Sequence, residues 1–295
     1  VMSLPLLLSA TGVAAQEEYV LRTFSEYSPP PGGHLNPYLP GACVDAASGG
    51  GLVLESLATY FPVNNTYQTC LATGWEYKGD NFMVYVRKNV TWSDGTKFTA
   101  KDVVSSFNIR GLLRHILWKY IDEVKAVDDY TVAFHMTKPT FMVQYYVLTD
   151  IITPYSIYGK FADDFAAAKK AGRSTDALLA NFTQYRPDKY IGTGPYILAS
   201  VTESERVWVL NKKYWRGTDK IFFTKIIQYR VMTDAQGAQL ILAGQVDFFG
   251  AILIPGTLEE AARRFKTLSV VYPGTGWHVL NFNPNVYPLN MKEVR

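Results

Sequence analysis

Residues Phe82–Asn108 read FMVYVRKNVTWSDGTKFTAKDVVSSFN, and this stretch decides the fold. Phe82, Val84 and Val86 alternate with Met83, Tyr85 and Arg87, the period of a strand with one buried face. Asp94-Gly95 is a turn pair, since glycine accepts positive φ at little cost. Thr99 stands three residues before Asp102, the spacing of a capping box with Asp in place of Glu. Val103, Val104 and Phe107 then follow at helical spacing. Strand, turn, cap and helix form one uninterrupted unit, and none of its residues has an evident catalytic role. Trp92 belongs to this unit and is expected in the core.

Outward from that unit, Tyr19–Ser25 reads as a first strand and SPPPGGHLNPYLPG as a loop that no regular element tolerates. Gly49–Tyr60 carries Leu52, Leu54, Leu57 and Ala58 and is expected to be a helix. Val124–Ala126 and Thr131–Met136 read as paired strands around Asp128-Asp129, and residues 155–185 as mostly helical. Three further landmarks follow. Ile191-Gly192-Thr193-Gly194-Pro195-Tyr196 breaks any element and leads into a hairpin, Tyr196–Val201 with Arg206–Leu210, followed by Asn211-Lys212-Lys213-Tyr214-Trp215. It is no phosphate loop, because neither Gly-Lys-Ser/Thr nor a helix follows. Thr233 can cap a helix over Ala235–Leu242 that Gly244 stops, with a short strand at Val246–Phe249. Leu280–Arg295, LNFNPNVYPLNMKEVR, reads as strand, proline turn and helix start.

These four segments, in this order, closely resemble family 5 solute-binding proteins of ABC importers, the oligopeptide and dipeptide receptors and their sugar-binding relatives. The resemblance runs from about residue 19 to the end. It implies an α/β fold: a periplasmic-binding-protein-like (class II) mixed-sheet lobe with an inserted smaller α/β subdomain. The second lobe is expected to be largely absent from this chain, because family members are considerably longer. The expected division is a signal-peptide remnant at 1–15, a discontinuous first lobe at 16–60 and 186–275, an inserted subdomain at 61–185, and a hinge strand with the start of a second lobe at 276–295. A fragment of a longer protein is the favoured explanation. A separately encoded remainder, or a role other than closing on a solute, stays open.

Composition is consistent with that reading. The chain has 295 residues, a net charge of +3 and 48% apolar residues, enough for a sizeable core. Lys and Arg are scattered, whereas a nucleic-acid binder clusters them. Aromatic residues make up 14%, a surplus that can line a cleft although most are expected in packing. The opening VMSLPLLLSATGVAA is an apolar run ending in small residues, the pattern of a secretory signal cleaved before Gln16. It is too short to span a bilayer; an anchor helix kept in the mature chain is the alternative. Export would place Cys43 and Cys70 in an oxidising compartment, where they can pair or remain buried thiols. Asn64, Asn89 and Asn181 fit N-x-[ST] and are possible glycosylation sites.

Chemistry is sparse. His34, His115, His135 and His278 match no zinc spacing, no G-x-S-x-G elbow occurs, and neighbouring carboxylates such as Asp163-Asp164 do not face each other on a helix. No catalytic residue, metal or cofactor is expected. Binding asks only for a cleft, rigid walls and a few polar anchors. Glu26 and Tyr27 follow the first strand; Trp277, His278 and Asn281 lead into the inter-lobe strand. These five are the expected ligand-binding residues. The expected function is capture of an oligopeptide or similar short oligomer outside the cytoplasm, for delivery to an ABC permease, with membrane contact only by association. An oligosaccharide receptor is the near alternative, and a cell-surface interaction protein built on this lobe the distant one.

Overall fold

The computed structural model describes residues 18–25, 33–44, 51–138, 140–250, 257–265 and 291. The chain divides into two units, Val1–Ile252 and Leu253–Arg295. In the second, one helix is described, Thr257–Arg264, with Arg263 paired to Glu260 one turn earlier.

The first unit holds a mixed five-stranded sheet built from β1 (Val20–Ser25), β8 (Tyr196–Val201), β9 (Glu205–Leu210), β10 (Lys225–Tyr229) and β11 (Phe248–Gly250), in the order β11-β1-β10-β9-β8. β1 lies between β10 and β11, parallel to both. β8, β9 and β10 are antiparallel neighbours. A two-stranded hairpin pairs β2 (Ala58–Phe61) with β3 (Thr66–Thr69). An antiparallel four-stranded sheet follows, in the order β4 (Ala72–Lys78), β5 (Asn81–Val86), β7 (Thr131–Met136), β6 (Ile121–Asp128). The helices are α1 (Ala100–Leu112), α2 (Phe141–Thr149), α3 (Tyr155–Lys170), α4 (Asp176–Gln184) and α5 (Asp234–Leu242). The mixed α/β lobe expected from the sequence is thus observed.

The deciding stretch folds as read. Phe82, Val84 and Val86 are buried along β5. The Asp94-Gly95 turn closes with Gly95 at φ +90° and the Asp94 carboxylate accepting from the Thr96 N–H at 3.0 Å. Trp92 is 1% exposed and meets Phe98 edge-on at 6.1 Å. The capping box is complete: the Thr99 hydroxyl accepts from the Lys101 N–H at 3.3 Å, and the Thr99 N–H donates to Asp102 Oδ2 at 2.8 Å. Asp102 does more than the motif requires. Its Oδ1 accepts from the Tyr155 N–H at 2.8 Å, at the start of α3, where Pro154 supplies no capping side chain. One buried carboxylate therefore caps two helices, and burial pushes that carboxyl above its ordinary range. α1 packs on α3 with one side and on β6 and β7 with another, where Phe107 meets Phe134 edge-on at 4.9 Å.

One expected element is absent. Residues 51–57 are not helical; a turn at Gly51, whose N–H donates to Leu54 O at 2.7 Å, and a series of bends lead into β2. Their carbonyls are claimed from outside: Leu52 O by the Tyr196 N–H and Val53 O by the Gly194 N–H, each at 2.9 Å, and Glu55 O by the Ile152 N–H at 2.9 Å. Val53, Leu54, Glu55, Leu57 and Ala58 are all buried, with only Ser56 partly exposed among them, a pattern that a surface helix would not show. The same contacts explain the glycines of the Gly-Thr-Gly-Pro junction. A Cβ on Gly192 would stand 1.8 Å from Val53 O, and one on Gly194 2.5 Å from Leu52 O. The junction is a site of close backbone approach.

The cysteines do not pair. Cys43 and Cys70 are both free and buried. Cys43 lies in the 33–44 loop, its carbonyl accepting from the buried Arg206 of β9 at 3.0 Å. Cys70 follows β3, its sulfur 3.3 Å from the Thr59 hydroxyl. Separate elements hold them, a separation that spacing in sequence does not reveal. Asn64, Asn89 and Asn181 are all exposed.

Candidate functional site

The five-stranded sheet has two ends of different character. Register places Val20, Lys225, Leu210 and Tyr196 at one end and Ser25, Gly250, Tyr229 and Glu205 at the other. The second is the carboxyl edge of the parallel trio β11-β1-β10. β10 leads through α5 into β11, with β1 lying between the two strands. In open α/β sheets ligands bind in the crevice outside the carboxyl ends of such strands.

The residues at that edge are fixed from several directions. Thr233 caps α5, its hydroxyl accepting from the Gln236 N–H at 3.3 Å, while the Gln236 side-chain oxygen accepts from the Met232 N–H at 2.8 Å. The two contacts rigidify the strand-to-helix turn and present the positive end of α5 at the rim. Phe24 is 1% exposed and lies under α5, where a Cβ on Gly237 would stand 3.0 Å from the ring. The Arg230 N–H donates to Ser204 O at 2.7 Å, tying the end of β10 to the β8–β9 turn. Arg206 donates to the Cys43 carbonyl and to the Gln228 side chain, which holds the 33–44 loop against the same sheet. That loop reaches further: the Tyr38 hydroxyl lies 2.7 Å from that of Thr153, and Asn36 donates to Tyr185 O at 3.2 Å. Burial pushes the Cys43 thiol up, so it behaves as an inert small side chain.

Glu26 and Tyr27 are next in sequence after β1, and both lie outside the described residues. Trp277, His278 and Asn281 also lie outside them. Among the described residues no three His, Cys, Asp or Glu side chains gather as a metal would require. Sequence reading missed one acid that the fold singles out. Glu55 is 5% exposed, with Oε1 accepting from the Tyr214 hydroxyl at 3.0 Å and Oε2 from the Trp215 indole at 2.8 Å. Burial raises its carboxyl above the ordinary range. Its position in LVLESL, a lone acid in an apolar run, was the available signal. Two guanidinium groups lie over the Trp215 ring in turn, Arg87 at 4.7 Å and Arg216 at 4.5 Å from its centre.

Residues 66–295 match the family model described as bacterial extracellular solute-binding proteins, family 5 Middle. The chain belongs to the family 5 bacterial extracellular solute-binding proteins. Solved structures similar to this family 5 chain share its fold. A periplasmic oligopeptide-binding protein from Thermotoga maritima, bound to mannohexaose, is 24% identical, with a TM-score of 0.64 over 83% of this chain and 43% of that one. AppA of Bacillus subtilis, an oligopeptide-binding protein in complex with a nonapeptide, is 18% identical, with a TM-score of 0.65 over 87% and 48%. NikZ of Campylobacter jejuni, in complex with Ni(L-His), is 19% identical, with a TM-score of 0.58 over 85% and 45%. The chain spans less than half the length of each. No curated protein sequence matches it. The family is by description one of extracellular solute-binding proteins. No helix among the described residues is long and apolar enough to cross a membrane.

Proposed function

We propose that this chain forms the first lobe of a receptor that captures short oligopeptides outside the cytoplasm and delivers them to an ABC permease. The single observation that carries this is the carboxyl edge of β11-β1-β10, with the capped start of α5 beside it and Glu26 following β1 directly. An acid next in sequence after β1 suits the α-amino group of a peptide. Tyr27, Trp277, His278 and Asn281 complete the candidate set, with a second lobe closing over the solute. The division proposed is a first lobe of 16–60 and 186–275, an inserted subdomain of 61–185, and a hinge from 276. Secretion by a cleaved signal, and glycans at Asn64, Asn89 and Asn181, belong to the same proposal.

Oligosaccharide is the second reading, favoured by the mannohexaose held by the similar Thermotoga protein. Native mass spectrometry of the protein from its source, followed by titration calorimetry with peptides of two to nine residues and with manno-oligosaccharides, separates the readings. The peptide reading expects a retained or titratable peptide whose affinity falls at least tenfold in Glu26→Ala. Saccharide binding that Glu26→Ala weakens, without any peptide binding, transfers the site to sugars. Stable multimers without any solute favour an interaction protein and refute both.

A further inference from the structure

The opposite, amino end of the five-stranded sheet carries a cleft of its own. Segment 51–57 pairs there with the start of β8, and Tyr214–Arg216 follow the end of β9. The cleft has a volume of about 520 Å³, within the range of roughly 300–1,000 Å³ typical of small-molecule sites. All of it lies within the first unit.

Its walls are aromatic. Tyr60, Tyr145 and Tyr214 line it, with Tyr60 and Tyr145 edge-to-face at 5.6 Å and Tyr145 38% exposed. Four of its hydroxyls share one orientation. The hydroxyls of Ser56, Tyr60, Thr149 and Tyr214 all donate to protein: to Ala58 O at 2.9 Å, Asn65 Oδ1 at 2.9 Å, Tyr145 O at 2.7 Å and Glu55 Oε1 at 3.0 Å. Each hydroxyl proton is spent, so each oxygen is left to accept from a ligand. Donors to a ligand come from Arg216, which is exposed and gives one N–H to Thr69 O at 3.1 Å, leaving other guanidinium N–H groups. The lining carries one acid, Glu55, whose two oxygens are taken by Tyr214 and Trp215, and one base, Arg216.

A ligand for this surface carries many hydroxyl donors, some acceptors, no net charge and a C–H face to lie on a phenol ring. That is the chemistry of a neutral sugar. We propose that this cleft is a saccharide-binding site on the first unit, separate from the carboxyl-edge site and independent of what that site binds.

The test is calorimetry, with saturation-transfer NMR, of the full protein against mannotriose, cellotriose and maltotriose. The expected result is binding of at least one trisaccharide, weakened about two- to tenfold by Tyr145→Ala, the worth of one aromatic stacking contact. Thr59→Trp, at an exposed strand position lining the cleft, should fill it and abolish binding while the far-ultraviolet circular dichroism is unchanged. Glu26→Ala should leave this binding intact. Binding lost in Glu26→Ala but kept in both cleft variants would place the sugar at the carboxyl edge, overturning this proposal while leaving a solute receptor, whose choice between peptide and sugar the peptide titrations then decide. No binding of any trisaccharide would overturn it too.

Discussion

Replacing Gly192 by alanine tests the account of the Gly-Thr-Gly-Pro junction most directly. The added Cβ would stand 1.8 Å from Val53 O and 2.7 Å from Val53 Cγ1, where real contacts do not fall below 3.0 Å. The obstacle is mainly backbone, so rotamer changes cannot relieve it. The two segments must part by about 1 Å. Three hydrogen bonds hold them and the neighbouring turn: Gly194 N to Val53 O at 2.9 Å, Tyr196 N to Leu52 O at 2.9 Å, and Ser93 N to Gly192 O at 2.8 Å. Stretched to about 4 Å they leave hydrogen-bonding range. At about 1 kcal/mol each the loss is about 3 kcal/mol. Reduced freedom of the unfolded chain returns about 0.4–1 kcal/mol. A net destabilisation of about 2–3 kcal/mol is expected, read as a lower urea midpoint at unchanged slope. Gly74→Ala is the control: nothing lies within 4 Å of its Cβ and its φ is ordinary, so it should be neutral or slightly stabilising. A Gly192→Ala variant within about 0.5 kcal/mol of wild type, the usual range for harmless surface changes, would refute the reasoning.

Two further outcomes follow from the buried acids. Asp102→Ala removes the reciprocal half of the α1 capping box and strands the Thr99 and Tyr155 N–H groups, for an expected loss of about 2–3 kcal/mol in urea unfolding; a loss under 1 kcal/mol would mean the two helix starts do not depend on it. Burial holds the Glu55 carboxyl above its ordinary range, so the folded chain binds this proton more readily than the unfolded one. Stability from this group is full below the unfolded value of about 4.3 and falls as pH rises through the folded value. Glu55→Gln should flatten that decline in urea midpoints measured from about pH 4 to 7; a variant profile parallel to wild type counts against it. Asp102, shifted the same way, keeps part of the slope in both proteins.

Local signals settled much of this protein before any coordinates. Alternation along β5, the Asp94-Gly95 turn, the Thr99–Asp102 box, the β8–β9 hairpin and Thr233 with Gly244 around α5 are fixed by interactions within a few residues, so the chain states them directly. Family membership was legible for the same reason, because its landmarks are such local units. Contacts between distant segments were not legible. The apolar run at 51–58 carries no record of the backbone donors at Gly194, Tyr196 and Ile152 that engage its carbonyls in place of a helix. Spacing did not show that Cys43 and Cys70 sit apart, nor that Glu55 would meet Tyr214 and Trp215 across about 160 residues of chain. Desolvation, close approach and cleft lining are sums over neighbours in space, and only the folded chain assembles those neighbours.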